Sequence, residues 1–159
     1  QLLGERLGVD SRNVHAFVVG EHGDSELAVW SGANISGVDL ECFCGLRGRV
    51  EREELDGLYR AVRDSAYEII RRKGATCYGI AMAVGRIAEC VVKDERAVLP
   101  VSCVLEGQYG LEGLALSLPA VLGRSGLEEV LEIPLSPGER AALAASAAQM
   151  REAIASLGL

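Results

Sequence analysis

The spacing of apolar and polar positions along the chain predicts a series of short strands and longer helices. Apolar residues that recur every three to four positions indicate amphipathic helices, and β-branched runs bounded by glycine or polar residues indicate strands. The helices predicted in this way cover residues 2–7, 51–72, 76–93 and 137–157. The predicted strands cover residues 14–19, 35–40, 98–105, 115–121 and 129–135. The strands therefore fall on both sides of a central pair of helices.

Local signals mark several boundaries of these elements. Gly20 ends the 14–19 strand, and Gly74 separates the two central helices. Ser136 and Glu139 flank a proline at the first helical position, which is the pattern of a capping box that starts the last helix. Because the elements do not alternate as βαβ units, the predicted fold class is α+β rather than a doubly wound nucleotide fold.

The bulk composition fits one soluble globular domain over residues 1–159, with 49% apolar and 25% charged residues. The net charge is −7 and aromatic residues make up 4%, so the chain lacks the basic and stacking surfaces that nucleic acids require. No apolar run approaches the roughly 18 residues of a membrane helix, and no secretory signal precedes the first helix. We therefore expect neither a nucleic-acid nor a membrane partner.

The five cysteines are odd in number and scattered along the chain. Their spacing matches neither the disulfide framework of a small secreted domain nor a zinc site. We therefore expect reduced, mostly buried thiols, no bound metal and a cytoplasmic location.

His22 is the residue with the clearest potential for chemistry. It follows the 14–19 strand on a turn, between the acidic Glu21 and Asp24, with Gly23 loosening the backbone. Among side chains, histidine has the ordinary pKa that suits both giving and taking a proton near neutral pH. The local composition leaves a surface-loop histidine with solvated acidic neighbours as an equal alternative. The chain contains no glycine-rich phosphate motif and no serine-nucleophile motif.

Several segments, in the same order, resemble the L-lactate dehydrogenases of the lactate/malate dehydrogenase family. Residues 20–25 with 29–32 resemble the active-site segment, and the likeness continues at 3–9, 72–81, 107–110 and 118–123 and to the C-terminal helix. It covers nearly the whole chain and corresponds to the C-terminal, substrate-binding half of the family's subunit. The resemblance implies that fold, with antiparallel strands and a long last helix, and an NAD-binding Rossmann domain outside these residues. The missing initiator methionine and missing first helix cap agree with a longer chain.

The resemblance assigns roles to four residues. His22 matches the acid/base histidine, which donates a proton to the ketone oxygen of pyruvate and takes one from the hydroxyl of L-lactate. Thr76 matches a threonine of the substrate pocket, and Ile80 matches the apolar residue that packs on the nicotinamide ring. His15 matches the histidine with which allosteric bacterial members bind fructose 1,6-bisphosphate between subunits. The residues alone leave alternatives: a helix cap for Thr76, a core position for Ile80 and an interface histidine without effector for His15.

The function implied by the resemblance is NAD-dependent interconversion of L-lactate and pyruvate in fermentation, by a homotetramer. An L-malate or other L-2-hydroxyacid dehydrogenase stays an alternative, because the family's specificity loop lies outside these residues. A non-catalytic assembly module is the alternative from another class. The family's arginine that grips the substrate carboxylate and the aspartate that orients the histidine also lie outside. We therefore expect the 159 residues alone to lack dehydrogenase activity, to expose apolar surface and to self-associate.

Overall fold

The computed structural model describes residues 1–47 and 50–158 of the chain. The helices in these ranges are α1 (Leu2–Leu7), α2 (Leu40–Arg47), α3 (Arg52–Lys73), α4 (Tyr78–Lys93) and α5 (Pro137–Ser156). The strands are β1 (Val14–Val19), β2 (Leu27–Ile35), β3 (Val38–Asp39), β4 (Ala97–Glu106), β5 (Glu112–Gly123) and β6 (Gly126–Val130). The order confirms the predicted α+β class, with strands before and after a central helix pair and a long last helix.

The strands form two antiparallel sheets of three strands, in the orders β1-β2-β3 and β4-β5-β6. A backbone bridge joins the two sheets where β1 ends. The Gly20 amide donates to the Ser117 carbonyl at 2.9 Å, and the Ser117 amide donates to the Gly20 carbonyl at 2.7 Å. The residues that follow Gly20 are therefore held against the middle of β5.

Two clusters of buried apolar side chains form the core, and β2 contributes to both. Leu27 and Val29 of β2 pack with β5 and α5, in a cluster that includes Leu116 and Leu143. Ala33 and Ile35, at the other end of β2, pack with α1, α2 and the start of α3. Burying one leucine side chain contributes roughly 2 kcal/mol to the free energy of unfolding. Because both cores contain β2 side chains, this strand links the two halves of the fold.

The capping box predicted at the start of α5 is confirmed. The Ser136 hydroxyl accepts from the Glu139 amide at 3.3 Å, and the Glu139 carboxylate accepts from the Ser136 amide at 2.8 Å. Pro137 occupies the first helical position, where its missing amide proton costs no hydrogen bond.

The predicted strand at 35–40 is wrong, because this segment contains a turn and a helix start. Ser36 and Gly37 both have positive φ angles, 51° and 84°, and they connect β2 to β3 as a tight hairpin. The carboxylate of Asp39 then accepts two backbone amides of the first turn of α2, at 2.9 and 3.3 Å. The pattern also missed β2 itself, since Ser31 and Gly32 interrupt its alternation of apolar residues.

Two other predicted boundaries need correction. Helix α4 begins at Tyr78 with Cys77 at its cap position, so Thr76 is not the helix cap. Strand β6 covers Gly126–Val130 rather than 129–135, because the left-handed Gly126 closes a tight turn directly after β5.

The cysteines are all free thiols, but they are not mostly buried: Cys44 and Cys90 are buried, and Cys42 and Cys77 are exposed.

The apolar stripes of α3 and α4 are largely uncovered. Among the described side chains, Leu55 is the buried one of α3 and Cys90 is the buried one of α4. Tyr78 and Met82 are 77% and 76% exposed. The expected exposure of apolar surface is therefore present on this helix pair. No helix within the described ranges is both long enough and apolar enough to cross a membrane.

Candidate active site

His22 lies exposed in the loop of residues 20–26 that joins β1 to β2. The two strands are antiparallel, and Val19 faces Leu27 across the ladder, so the loop closes a hairpin. Both of these residues are buried in the larger core cluster. The loop therefore starts and ends on buried backbone, which confirms that His22 follows the 14–19 strand on a turn. The expectation that this strand is buried is wrong, because only Val19 of β1 is buried and its other residues are half-buried or exposed.

Gly20 starts this loop in a conformation that suits glycine. Its φ angle is +99°, in the region that side chains with a Cβ rarely adopt. A Cβ at this position would also lie 3.0 Å from the Ser146 hydroxyl oxygen and 3.2 Å from the Leu27 Cδ2 atom. Gly20 thus lets helix α5 approach the backbone at the end of β1.

The Glu21 carboxylate turns inward and organises the loop. Its Oε2 atom accepts from the Ser25 hydroxyl at 2.7 Å and from the Ser25 amide at 3.3 Å. A Cβ on Gly23 would lie 2.2 Å from the Oε1 atom, so glycine leaves the space that this carboxylate occupies. Glu21 is half-buried and is not the solvated neighbour that the local composition left open.

Helix α3 contacts the same loop through two tyrosines. The Tyr67 hydroxyl donates to the Asp24 carboxylate at 2.9 Å, and the Tyr59 hydroxyl donates to the backbone carbonyl of Glu26. The hydrogen bond to Asp24 raises the pKa of Tyr67, because it stabilises the protonated phenol. No sequence pattern indicated these contacts, because the two residues of each hydrogen bond lie 43 and 33 positions apart in the chain.

Glu26 is the acidic neighbour of His22 that the sequence interpretation missed. It is half-buried, and burial raises the pKa of its carboxyl. The charges of His22 and Arg63 offset part of this rise in pKa, whereas the charge of Glu21 adds to it. His22 therefore has a partly buried carboxyl within its electrostatic range, in addition to the sequence neighbours Glu21 and Asp24.

Thr76 and Ile80 lie beyond the C-terminal end of α3, whose middle contacts the loop. From Tyr67, the helix continues for six residues to Lys73, a rise of about 9 Å. Thr76 is half-buried in the connection to α4, and Ile80 in the first turn of α4 is 58% exposed. A core position for Ile80 is therefore wrong. Among the described residues, no hydrogen bond joins His22 to Thr76.

His15 and His22 lie near opposite ends of β1. His15 is exposed and faces Asn34 of β2, with an irregularity in the pairing before Phe17. The two histidines are seven positions apart, and the extended strand from His15 to Val19 alone covers about 13 Å. The structure does not bring them into one site.

Two cavities lie away from these predicted residues. One has a volume of about 730 Å³ and is lined by both polar and apolar side chains, Trp30, Ser31 and Glu139 among them. The other, about 200 Å³, is mostly apolar and lies between α1, β1 and α3. Neither cavity is lined by His22, Thr76 or Ile80. No group of three His, Cys, Asp or Glu side chains in the described part of the chain could hold a metal ion.

Glu139 lines the larger cavity, and its hydrogen bonds connect α5 to β2. Its carboxylate accepts from the amide and the hydroxyl of Ser31, in addition to the Ser136 amide. Burial by itself would raise the pKa of Glu139, but the hydrogen bonds from Ser31 and Ser136 together lower it to about 2. The sequence indicated the capping role of Glu139 but not this second role.

The chain matches known dehydrogenase sequences over almost its full length. The sequence profile of the lactate/malate dehydrogenase α/β C-terminal domain matches residues 1–157. The L-lactate dehydrogenases of Streptococcus pneumoniae and Streptococcus thermophilus are 50% and 49% identical to it over 154 residues. These alignments cover 97% of this chain and 47% of each relative. The chain therefore spans about half the length of the curated relatives that it matches.

Solved structures of lactate dehydrogenases share the fold. A lactate dehydrogenase from a Medee basin deep-sea metagenome library superposes with a TM-score of 0.95 at 36% identity, over 99% of this chain and 51% of that one. A minor L-lactate dehydrogenase from Enterococcus mundtii, in a ligand-bound form, gives a TM-score of 0.89 at 37% sequence identity, over 94% of this chain and 48% of that one. The match of the family profile to residues 1–157, with this fold, shows that the chain belongs to the lactate/malate dehydrogenase family and represents its α/β C-terminal domain.

Proposed function

We propose that the protein acts in the NAD-dependent interconversion of L-lactate and pyruvate, with His22 as the proton donor and acceptor. The observation that carries this proposal is an exposed imidazole on a loop whose base is buried and hydrogen-bonded to two other elements. This anchoring holds the backbone from which the His22 imidazole projects and leaves the imidazole open to a small substrate. The names of the relatives that are 50% identical support lactate as the substrate.

The chemistry proposed for His22 is reversible proton transfer. In the direction of reduction, the imidazolium donates a proton to the ketone oxygen of pyruvate. In the opposite direction, the neutral imidazole takes the proton from the hydroxyl of L-lactate. A positioned acid or base of this kind contributes roughly 10²–10⁴-fold to a rate.

NAD would supply or accept the hydride in this reaction. The exposed side chain of Ile80 suits one apolar face of a nicotinamide ring, and Thr76, four positions earlier in the chain, has a hydroxyl for a small keto acid. The chain has no glycine-rich motif to hold the phosphates of the dinucleotide. We therefore propose that the NAD-binding half of the same subunit holds the rest of the cofactor.

The proposed assembly is a cytoplasmic homotetramer. His15 is exposed on β1, where its imidazole is accessible to a phosphate group, so we propose it as the contact for fructose 1,6-bisphosphate. Because His15 lies at the other end of β1 from His22, an effector bound there would act at a distance from the proton transfer.

The test is His22→Gln in the complete enzyme subunit that carries these 159 residues. We expect kcat for pyruvate reduction to fall roughly 10²–10⁴-fold, because the proton donor is lost, while NADH affinity measured by fluorescence stays within about twofold. Arg151→Gln, an exposed change on α5, is the control and should leave both values unchanged. An H22Q enzyme with unaltered kcat would contradict the proposed role.

A comparison of substrates tests the alternatives. If the proposal is right, kcat/KM is higher for pyruvate than for oxaloacetate. A preference for oxaloacetate would support a malate dehydrogenase, and no turnover of any 2-keto acid would support an assembly module. The 159 residues alone should form no NADH from L-lactate and NAD, and measurable formation would contradict that expectation.

A further inference from the structure

Ser146 of α5 lies fully buried beneath the loop that carries His22. Two other helical serines, Ser65 and Ser156, donate to backbone carbonyls three residues earlier in their own helices. Ser146 instead directs its hydrogen bonds out of the helix, to Glu21 and Ser25, which are more than 120 positions away in the sequence. A buried helical serine that bonds outside its helix indicates a specific role for its hydroxyl.

The three side chains form a hydrogen-bonded chain with one consistent direction. The Ser146 oxygen accepts from the Glu21 amide at 2.8 Å and lies 3.1 Å from the Ser25 hydroxyl oxygen. The Ser25 proton is directed to the Glu21 carboxylate, which cannot donate when ionised. Ser146 must therefore donate to Ser25. The Ser146 hydroxyl thus holds the backbone immediately before His22. Through Ser25, it also holds the Glu21 carboxylate, which organises the loop.

The backbone at this point leaves little freedom for Ser146 to move. A Cβ on Gly20 would lie 3.0 Å from the Ser146 oxygen, so α5 and the end of β1 are in close contact. Gly20 is itself fixed to Ser117 of β5 by two backbone hydrogen bonds. The direction of the backbone that leads to His22 is therefore determined jointly by the hydrogen bonds to β5 and by the Ser146 hydroxyl.

We propose that Ser146 is a positioning residue for proton transfer, because its buried hydroxyl sets the orientation in which the loop presents the His22 imidazole. This inference rests on the proposed function of His22. Ser146 does not reach the exposed face of the loop, so its effect passes through the backbone at Glu21 and through Ser25. Displacement of a catalytic group by about 1 Å can reduce a rate roughly 100-fold.

The test compares Ser146→Ala with Ser156→Ala in the complete enzyme. Both changes remove a hydroxyl from α5, but Ser156 is exposed and bonds within its own helix. We expect S146A to lower kcat for pyruvate reduction by roughly 10–100-fold at a temperature where circular dichroism shows it folded. NADH affinity should stay within about twofold, and S156A should match the unmodified enzyme.

A double variant separates positioning from a general structural effect. If Ser146 acts through the imidazole, S146A should cause no further loss of kcat in a H22Q enzyme. An equal loss in both backgrounds, or a kcat of S146A equal to that of S156A, would overturn the inference. If H22Q keeps full activity, the proposed function fails and this inference fails with it. If H22Q lowers kcat and S146A does not, only the positioning role of Ser146 is excluded.

Ser25→Ala serves as the second variant if S146A does not fold. It keeps the Ser146 bond to the Glu21 amide and the bond from the Ser25 amide to the Glu21 carboxylate, and it removes the hydroxyl that connects Ser146 to this carboxylate. We expect a several-fold lower kcat that is again absent in the H22Q background. Unchanged activity of S25A would overturn the role of this hydrogen-bonded chain.

Discussion

His22 lies in a loop with three acidic residues, and each of these has different surroundings. Glu21 accepts hydrogen bonds from Ser25, Asp24 accepts one from Tyr67, and Glu26 is half-buried near the charge of His22. Two of the carboxylates are therefore committed to holding the loop. Glu26 instead lies within electrostatic range of the His22 imidazole.

At Gly20, an alanine should destabilise the protein. The φ angle of +99° and the 3.0 Å approach of Ser146 predict a loss of about 1–3 kcal/mol in the free energy of unfolding. Gly57→Ala in α3 is the matched control, because the alanine methyl would meet no other element within 4 Å and alanine favours helices. Urea denaturation should show a lower midpoint for G20A and an equal or higher one for G57A. Equal midpoints for the two variants would refute this account of Gly20.

The Glu139 carboxylate should make stability depend on pH in the acidic range. Folding lowers its pKa from the usual 4.5 to about 2, so the ionised form stabilises the folded state above pH 4.5. This contribution, up to about 3 kcal/mol, is lost as the pH falls from 4.5 towards 2.

The corresponding variant is Glu139→Gln, compared with Glu152→Gln at an exposed position of the same helix. Urea denaturation should give a lower free energy of unfolding for E139Q near neutral pH, with the difference from the unmodified protein shrinking towards pH 2. E152Q should follow the unmodified protein throughout. A constant difference for E139Q at all pH values would exclude the ionised carboxylate as its cause.

Among the elements, α3 combines a long exposed surface with specific contacts to the active-site loop. Its first half is anchored at Leu55 in the smaller core, and its middle is anchored through Tyr59 and Tyr67. Leu58 also packs against this core, whereas Val62, Ile69 and Ile70 are exposed. The hydroxyl groups of Tyr59 and Tyr67 therefore connect α3 to the loop by hydrogen bonds.

Replacing both tyrosines by phenylalanine should therefore loosen the loop. Hydrogen exchange should become faster in residues 20–26 and in the middle of α3, while exchange in α5 stays unchanged. Tyr109→Phe is the control, because its hydroxyl also donates to a backbone carbonyl, that of Ile133, but outside this region. Unchanged exchange in the loop of the double variant would show that α3 does not stabilise it.

In the whole molecule, β2, β5 and one face of α5 supply most of the buried side chains, and α3 and α4 leave an apolar surface open. The most exposed apolar side chains of α4 include Tyr78, Met82 and Val92. Surfaces of this kind favour association, because water is released when they are covered. This agrees with the proposal that the domain functions within a larger subunit and oligomer.

The isolated 159 residues should consequently self-associate at micromolar concentration. Replacing Tyr78 and Met82, one turn apart on α4, by glutamine should shift the protein towards monomer in sedimentation velocity. Leu157→Gln, at a position 73% exposed near the end of the chain, should change the distribution little. A monomeric unmodified protein would contradict the expectation.

Much of the fold was predictable from local pattern. The 14–19 strand, the helix at 51–72 and the capping box of α5 depend on periodicity and on residues a few positions apart, and all three are confirmed. The turn at Ser36 and Gly37 and strand β2 were missed, because polar residues interrupt the alternation there. For the site, the position of His22 beyond a strand was predictable, but the inward orientation of Glu21 was not.

The periodic elements, the helix ends and the family likeness follow from the sequence, because each depends on residue types at short, fixed spacing. Tertiary structure determines which distant side chains meet. Ser146 contacts Glu21 across 125 positions, and Glu139 contacts Ser31 across 108. It also decided that the apolar stripes of α3 and α4 stay exposed in this domain. Amphipathic spacing states that a helix has an apolar face, but what covers that face depends on the packing of the whole assembly.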